Sequence, residues 1–248
     1  MFESIISFFY IILYQPLFNS LVWLYNYIPG HDFGVAIICL TIIIRVILFP
    51  ISIKAVKSQR ALQKLQPQIS ATQKKYKDDK EKQAKEIFDL YKREKINPFS
   101  GLLLALIQVP ILIALYRVFW DGLNQKKLSV LYHFVLNPGQ INPFFFHIIN
   151  LSKPNIILAV LAGLAQYFQT KMLLPKNSAP SGSKEADLSQ AMQKQMVYFL
   201  PVFTVIILIN LPSALGLYWT TSGLFSIIQQ YFIFKSHGKP EILSKAGQ

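Results

Sequence analysis

The strongest constraint in this sequence is a run of 39 residues, Met196–Phe234, without a single charged side chain. A helix crosses the ~30 Å hydrocarbon layer of a bilayer with roughly 20 apolar residues, so this run is long enough to cross twice. Asn210-Leu211-Pro212-Ser213 lies near its middle. Proline disfavours helix at the residue before it and lacks the N–H that a helix interior needs. The pattern predicts two helices, 196–211 and 213–234, joined by a tight turn. Three more apolar blocks have spanning length, at 33–53, 99–120 and 155–174. The expected fold class is therefore all-α: a polytopic membrane protein with five transmembrane helices.

Composition points the same way. Apolar residues make up 52% and charged residues 15%, against roughly 25% charged in an ordinary soluble domain. That excludes a disordered chain and argues against a soluble enzyme. The one cysteine, Cys39, sits in an apolar run, so neither an intrachain disulfide nor a cysteine-based zinc site is expected. His31, His133, His147 and His237 are scattered, with no HExxH pattern. No metal and no cofactor is expected.

The basic residues orient the spans, because Lys and Arg favour cytoplasmic loops. Residues 1–44 contain none, whereas 51–98 contain thirteen, against six acidic residues. That loop is assigned to the cytoplasm. Segment 121–153, with only Lys126, Lys127 and Lys153, then lies outside. Segment 175–195, with Lys176, Lys184 and Lys194, lies inside, and so does the tail with Lys235, Lys239 and Lys245. The topology reads N-out and C-in. Two further apolar stretches, Ile5–Ile28 and Val130–Ile149, carry prolines and interleaved aromatics. They read as segments lying in the headgroup layer rather than spanning. The N-terminus has no basic n-region, so it does not read as a standard signal peptide. The organisation expected is an extracytoplasmic N-terminal region (1–32) with an interfacial segment, a five-helix core (33–235) and a short cytoplasmic tail (236–248).

Within the cytoplasmic loop, residues 54–97 read as a helical hairpin. Pro67 is expected to interrupt its first helix, and Lys77-Asp78-Asp79-Lys80 to form its turn. Ile87, Leu90 and Tyr91 share one face. The lysines near the tip, Lys74, Lys75, Lys77, Lys80, Lys82 and Lys85, form either a solvated surface or a docking arm for anionic partners such as ribosomal RNA or lipid headgroups. The loop lacks the aromatic interleaving used to stack bases, so sequence-specific nucleic-acid binding is not expected.

One charge falls deep inside a span. Arg45, in TIIIRVILFP, lies about 18 Å along its helix by rise per residue. A charge at mid-bilayer costs about 2.5–3.5 kcal/mol on insertion scales, and no span carries Asp or Glu to pair with it. The alternatives are snorkelling to the headgroups or facing a water-filled cavity. Gln108, Gln166, Gln169, Thr204 and Ser226 fall at similar depths, and Thr41 lies one turn outward of Arg45 on the same face. These residues favour a wet, positively charged internal site. A proton pump would need carboxylate or histidine relays, which the spans lack.

Four stretches, with their order and spacing, carry a family resemblance: TIIIRVILFP (41–50), LQKLQPQI (62–69), KYKDDKEKQAKEIFDLYKREKINPFSG (75–101) with LIQVPILIALY (106–116), and LPSALGLYWTTSGLFSIIQQ (211–230). Over about residues 14–235 the chain resembles the YidC-type membrane protein insertases of bacteria, mitochondria and chloroplasts, and specifically a bacterial member without the large periplasmic domain. The resemblance implies five core helices around a hydrophilic groove open to cytoplasm and lipid. It implies no ATPase and no covalent chemistry, hence not an enzyme. The groove arginine of the family falls on Arg45, its first-span threonine on Thr41, its final-span aromatic pair on Tyr218 and Trp219, and its third-span glutamine on Gln169. With Gln108 and Ser226 these form the expected substrate groove. Expected partners are nascent membrane-protein clients, the ribosome, the Sec translocon and anionic lipids, at the bacterial plasma membrane. Leu102, Leu104, Ala214 and Gly223 depart from the residues common in the family. An anion-binding channel or solute carrier is the competing function, though no internal repeat or paired broken helix supports it. A structural scaffold would explain the hairpin but not the unpaired charge.

Overall fold

The computed structural model describes residues 2–97, 99–122, 130–173 and 184–236. The expectations that rest on Lys126, Lys127, Lys176, Lys239, Lys245 and the tail beyond 236 lie outside the described residues. Helices α1 (Phe2–Phe9) and α2 (Gln15–Tyr27) are joined by one π-helical stretch, Tyr10–Tyr14. Then follow α3 (Phe33–Ile47), α4 (Phe49–Lys75), α5 (Lys80–Arg93) and α6 (Ser100–Gly122). A two-residue strand pair, β1 (Phe144–Phe145) and β2 (Ile149–Asn150), precedes α7 (Ile156–Met172), α8 (Lys184–Leu208) and α9 (Ser213–Ser236). The chain is predominantly helical, in line with the all-α expectation.

Three prolines act differently from expectation. Pro16 was expected to cut the N-terminal stretch, but the chain stays helical through it, with the π-helical stretch Tyr10–Tyr14 directly before α2. Pro67 lies inside α4, which continues unbroken to Lys75. Pro50 does the opposite. The helix expected over 33–53 ends at Ile47, Leu48 forms the junction, and Pro50 sits in the first turn of α4. The axes of α3 and α4 differ by 66°. The direction of α3 is therefore abandoned just two residues after Arg45. Between α8 and α9, the break expected at Asn210–Pro212 is where the helices separate.

The core helices meet through small residues. Ala159, Ala162, Gly163 and Ala165 of α7 are buried, and α7 packs on both α8 and α9. A Cβ placed on Gly163 would come within 2.5 Å of Val205 Cγ2 and 3.1 Å of the Pro201 carbonyl. A Cβ on Gly223 would come within 2.9 Å of Ala165 Cβ. Small residues at such crossings let backbones approach where lipid supplies no hydrophobic drive between helices.

The outward faces are apolar. Ile42, Ile43 and Val46 on α3, Val109 and Ile113 on α6, Ile157, Leu161, Leu164 and Phe168 on α7, Phe199, Val202, Phe203 and Ile206 on α8, and Leu224, Ile228 and Phe232 on α9 are all exposed. A water-soluble monomer seldom exposes contiguous apolar surface on this scale. Among the described residues, only Ile6–Tyr27 is by itself long and apolar enough to cross a membrane; α3 and α4 pass only as a bent pair, and Ile156–Met172 and Gln195–Leu208 are shorter apolar helices.

The N-terminal helix touches one end of the core. Tyr14 donates to Asp121 at 2.8 Å, Asn19 Oδ1 accepts from the Tyr132 amide at 2.5 Å, Asn26 donates to the Leu136 carbonyl at 2.6 Å, and Tyr25 accepts from the Asn142 amide at 2.9 Å. At the same end Asp32 caps α3 through Val35 N–H and accepts from the Phe146 amide at 2.6 Å. The start of α9 hangs from the chain before α7, with the Ser213 and Ala214 amides donating to the carbonyls of Lys153 and Leu151.

At the opposite end, α4 and α5 form a hairpin with its own small core of Leu65, Ile69 and Leu90, flanked by Ile87, Tyr91 and Ile96. Burial pushes the Tyr91 phenol above its usual range. Asp79 caps α5 through the Lys82 amide at 2.9 Å, and Gln83 donates to the Gln73 carbonyl at 2.9 Å, closing the turn.

Candidate functional site: a polar chain from α3 through α9 to α6

Arg45 lies on the last turn of α3, facing α9, and is half-buried. Its Nε donates to Ser222 Oγ at 2.7 Å, and Nη2 donates to the same oxygen. Ser222 lies four residues after Tyr218 on α9, so both point the same way. The Tyr218 hydroxyl accepts a 2.5 Å hydrogen bond from Gln108 Nε2 on α6. Ser222 and Tyr218 are 3% exposed, so this polar line runs through an otherwise apolar contact. It links three helices in the order Arg45, Ser222, Tyr218, Gln108. The guanidinium's hydrogen-bond partner is a neutral hydroxyl, which leaves its charge uncompensated by any carboxylate there.

The other expected site residues make contacts of their own. Thr41 is only 1% exposed, and its hydroxyl donates to the Ile37 carbonyl of its own helix at 2.7 Å. Ser226 is buried and donates to the Ser222 carbonyl at 3.0 Å. Both hydroxyls are taken up by backbone one turn back, a frequent choice for Ser and Thr in apolar helices. Trp219 and Gln169 are half-buried. Gln166 accepts from Thr204 at 2.5 Å and ties α7 to α8. Gln166 and Thr204 thus make a polar contact of their own, between α7 and α8. Ser222, the residue that holds Arg45, was missed by sequence reasoning. The stripe Tyr218–Ser222–Ser226 at i, i+4, i+8 was the available signal.

The hairpin is tied to the same core. Ser52, buried at the start of α4, accepts from Gln229 Nε2 of α9 at 2.5 Å. Two turns on, Arg60 donates to the Phe234 carbonyl at 3.1 Å, with its guanidinium 4.8 Å from the Phe234 ring centroid. Ser58 donates to the Asn97 carbonyl at 2.8 Å, joining the two legs. Lys74, Lys75, Lys77, Lys80, Lys82 and Lys85 are all exposed near the tip, and Lys75 and Lys82 flank the Tyr76 ring at 5.2 Å each. Among the described residues no cluster of three His, Cys, Asp or Glu is placed to hold a metal ion.

Residues 23–240 match the model of the family described as 60Kd inner membrane protein. The chain belongs to this family. Its relatives include the protein named "Membrane protein insertase YidC" in Francisella tularensis subsp. novicida (strain U112), 34% identical over 217 residues, which cover 87% of this chain and 35% of the relative. The proteins of the same name in Francisella tularensis subsp. tularensis (strain SCHU S4 / Schu 4) and subsp. holarctica (strain LVS) match equally. The chain thus spans about a third of the length of these 60Kd inner membrane protein relatives. The match takes in the whole polar chain, the hairpin and the α2 region from Trp23 onward.

Proposed function

We propose that this protein is a membrane protein insertase: it takes polar segments of client membrane proteins partway into the bilayer and releases their apolar helices into lipid. The observation that carries the reading is Arg45, a half-buried charge held by the neutral Ser222 hydroxyl in a body whose outer faces are apolar. Uncompensated charge is costly in hydrocarbon. It is sustained where water reaches it, and a watered cationic groove lowers the cost of bringing an acidic client tail into the membrane. Burial of the client's apolar helix, at ~25 cal/mol per Å², supplies the driving force, so no nucleotide is required.

The geometry supports a groove open to the hairpin side. At about 1.5 Å per residue the 15 residues of α3 extend about 22 Å, short of the ~30 Å hydrocarbon layer, and the bend after Leu48 turns α4 aside. Arg45 therefore stands near the point where the chain turns. The hairpin carries its lysines on the same side, suited to receive anionic clients, ribosomal surfaces or lipid headgroups. We assign α3, α6, α7, α8 and α9 to the membrane, the hairpin and C-terminus to the cytoplasm, and the N-terminal helix to the outer interface. The last assignment is supported by its contacts. They include Phe9 with Arg117 and Tyr14 with Asp121 near the end of α6, Tyr25 with Phe33 at the start of α3, and Asn26 and Tyr25 with the chain at 136–142.

Reconstitution tests the reading. The full chain in liposomes of defined lipid should protect the translocated tail of a single-span client from external protease, without nucleotide and without other proteins. Uptake of a small anion in the absence of client, with no protected tail, would establish the carrier reading in its place.

A further inference from the structure

The chain from 130 to 152 holds no Lys, Arg, Asp or Glu, and its strand pair ends in a turn that its own residues disfavour. The Ile148 amide donates to the Phe145 carbonyl at 3.0 Å and closes a β-turn. The two central residues, Phe146 and His147, have φ of 47° and 60°. A turn with positive φ at both central positions is usually made by Asn-Gly, because a Cβ there crowds the following carbonyl oxygen. Here Phe and His carry that strain. The apolar side chains that the turn presents are bare, with Phe146 63% exposed and Ile148 81% exposed.

The turn is held firmly from below. Phe145 lies over the bare backbone of Gly34, where a Cβ would clash with its ring. The Asp32 carboxylate caps α3 through the Val35 amide at 2.9 Å and accepts from the Phe146 amide at 2.6 Å. The start of α3 therefore sustains the strained backbone and keeps Phe146 and Ile148 facing outward. In water this arrangement is unfavourable twice, once for the backbone and once for the apolar surface, and Asn-Gly would relieve both. At the boundary of a bilayer the second cost reverses, because apolar and aromatic side chains favour that layer. The chain continues into surface of the same kind: Ile156 and Ile157, at the start of α7 beyond β2, are exposed.

We propose that the turn Phe145–Ile148 is an apolar anchor that enters the outer leaflet of the membrane, with Phe146 and Ile148 leading. The anchor rests on the assignment of this end of α3 to the outer surface, and it needs no client. With no Lys or Arg in the segment, the contact is with the acyl boundary and not with anionic headgroups. Through Asp32 the anchor is fixed to the first turn of α3. It thereby sets the depth of that helix, and Arg45 stands about 18 Å further along it by rise per residue.

The test places a nitrobenzoxadiazole label on Ile148→Cys in the full chain, in a Cys39→Ser background, in nanodiscs holding one copy each. Gln140→Cys, at an exposed polar position of the same segment, is the control. Nitroxide on the lipid acyl chains near the headgroup should quench the label at 148 roughly threefold more than at 140, and iodide in the buffer should do the reverse. The result should be the same in phosphatidylcholine and phosphatidylglycerol, at low and high salt, because apolar insertion does not use charge. Phe146→Asn combined with His147→Gly should raise the thermal midpoint in detergent, since that pair suits the turn, and should lower nitroxide quenching at 148 roughly twofold. Equal nitroxide quenching at 140 and 148 would overturn the proposal and leave the patch to a protein partner or a second copy. Quenching confined to phosphatidylglycerol at low salt would overturn it in favour of headgroup binding. A lower midpoint for the double variant would assign Phe146 and His147 to folding and overturn it as well. Labelling of Gln140→Cys from the cytoplasmic side would overturn the assignment to the outer leaflet. No client enters these measurements, so a failure of client insertion in the liposome assay would not mimic any of these results.

Discussion

Arg45 on α3 and Ser222 on α9, 177 positions apart in the chain, share one hydroxyl oxygen between two guanidinium donors. The contact orients the positive charge without neutralising it. Ser222→Ala should leave the protein folded, since water can take the freed donors, and should lower insertion of acidic clients about two- to fivefold, in keeping with one charge-assisted hydrogen bond softened by hydration. Combined with Arg45→Ala it should add no further loss, because the two residues act as one unit. Additive losses in a double-mutant cycle would separate them.

Helix packing gives a second prediction. Alanine usually improves a helix over glycine by about 1 kcal/mol, but a Cβ on Gly223 meets Ala165 Cβ at 2.9 Å. The clash should win. Gly223→Ala should destabilise by about 1–3 kcal/mol, read as a lower thermal midpoint in detergent, and Ala165→Gly in the same chain should recover part of it. A higher midpoint for Gly223→Ala would show that α7 and α9 can part without cost.

Arg60 supplies two of the contacts between the hairpin and α9. Arg60→Gln should widen the distribution of spin-label distances between the hairpin tip and α9, while leaving the thermal midpoint of the core nearly unchanged. Arg60→Lys keeps charge but loses the fork and the flat stacking surface, so it should behave like Gln. A distribution as narrow as that of the parent would mean that the packing of α4 beside α6 and the Ser52–Gln229 bond hold the hairpin without Arg60.

Much of this was legible in the sequence because membranes make polarity conspicuous. An arginine amid TIIIRVILFP, a charge-free run broken at Pro212, and a lysine-dense loop each have few physical solutions. What was hidden depends on contacts between distant segments. Ser222 is an ordinary helix serine until α3 brings Arg45 beside it. Thr41 shares a helix face with Arg45, yet its hydroxyl turns back to Ile37. Proline illustrates the same limit. Pro50 sits in a first turn, where the residue is harmless, while Pro16 and Pro67 are carried inside continuous helical chain, so the residue alone does not say where a helix ends. The bend at Leu48 required knowing that α4 leaves to pack beside α6 and α9.

Topology can be read directly. In a Cys39→Ser background, Lys80→Cys should be labelled by an impermeant thiol reagent only from the cytoplasmic side, and Gln140→Cys only from the outside. Both positions are exposed. Labelling of position 80 from outside would reverse the assignment.

The most direct test of the central claim pairs Arg45 with the charge of the client. Insertion into protein-only liposomes is measured for Arg45→Ala, Arg45→Lys and the parent chain, using one client whose translocated tail carries an acidic residue and a matched client in which that residue is neutral. The account predicts that Arg45→Ala reduces insertion of the acidic client by roughly tenfold, about 1.4 kcal/mol, that it affects the neutral client much less, and that Arg45→Lys retains most activity with both. Equal loss for the two clients would contradict the account and reduce Arg45 to a residue that shapes or hydrates the groove.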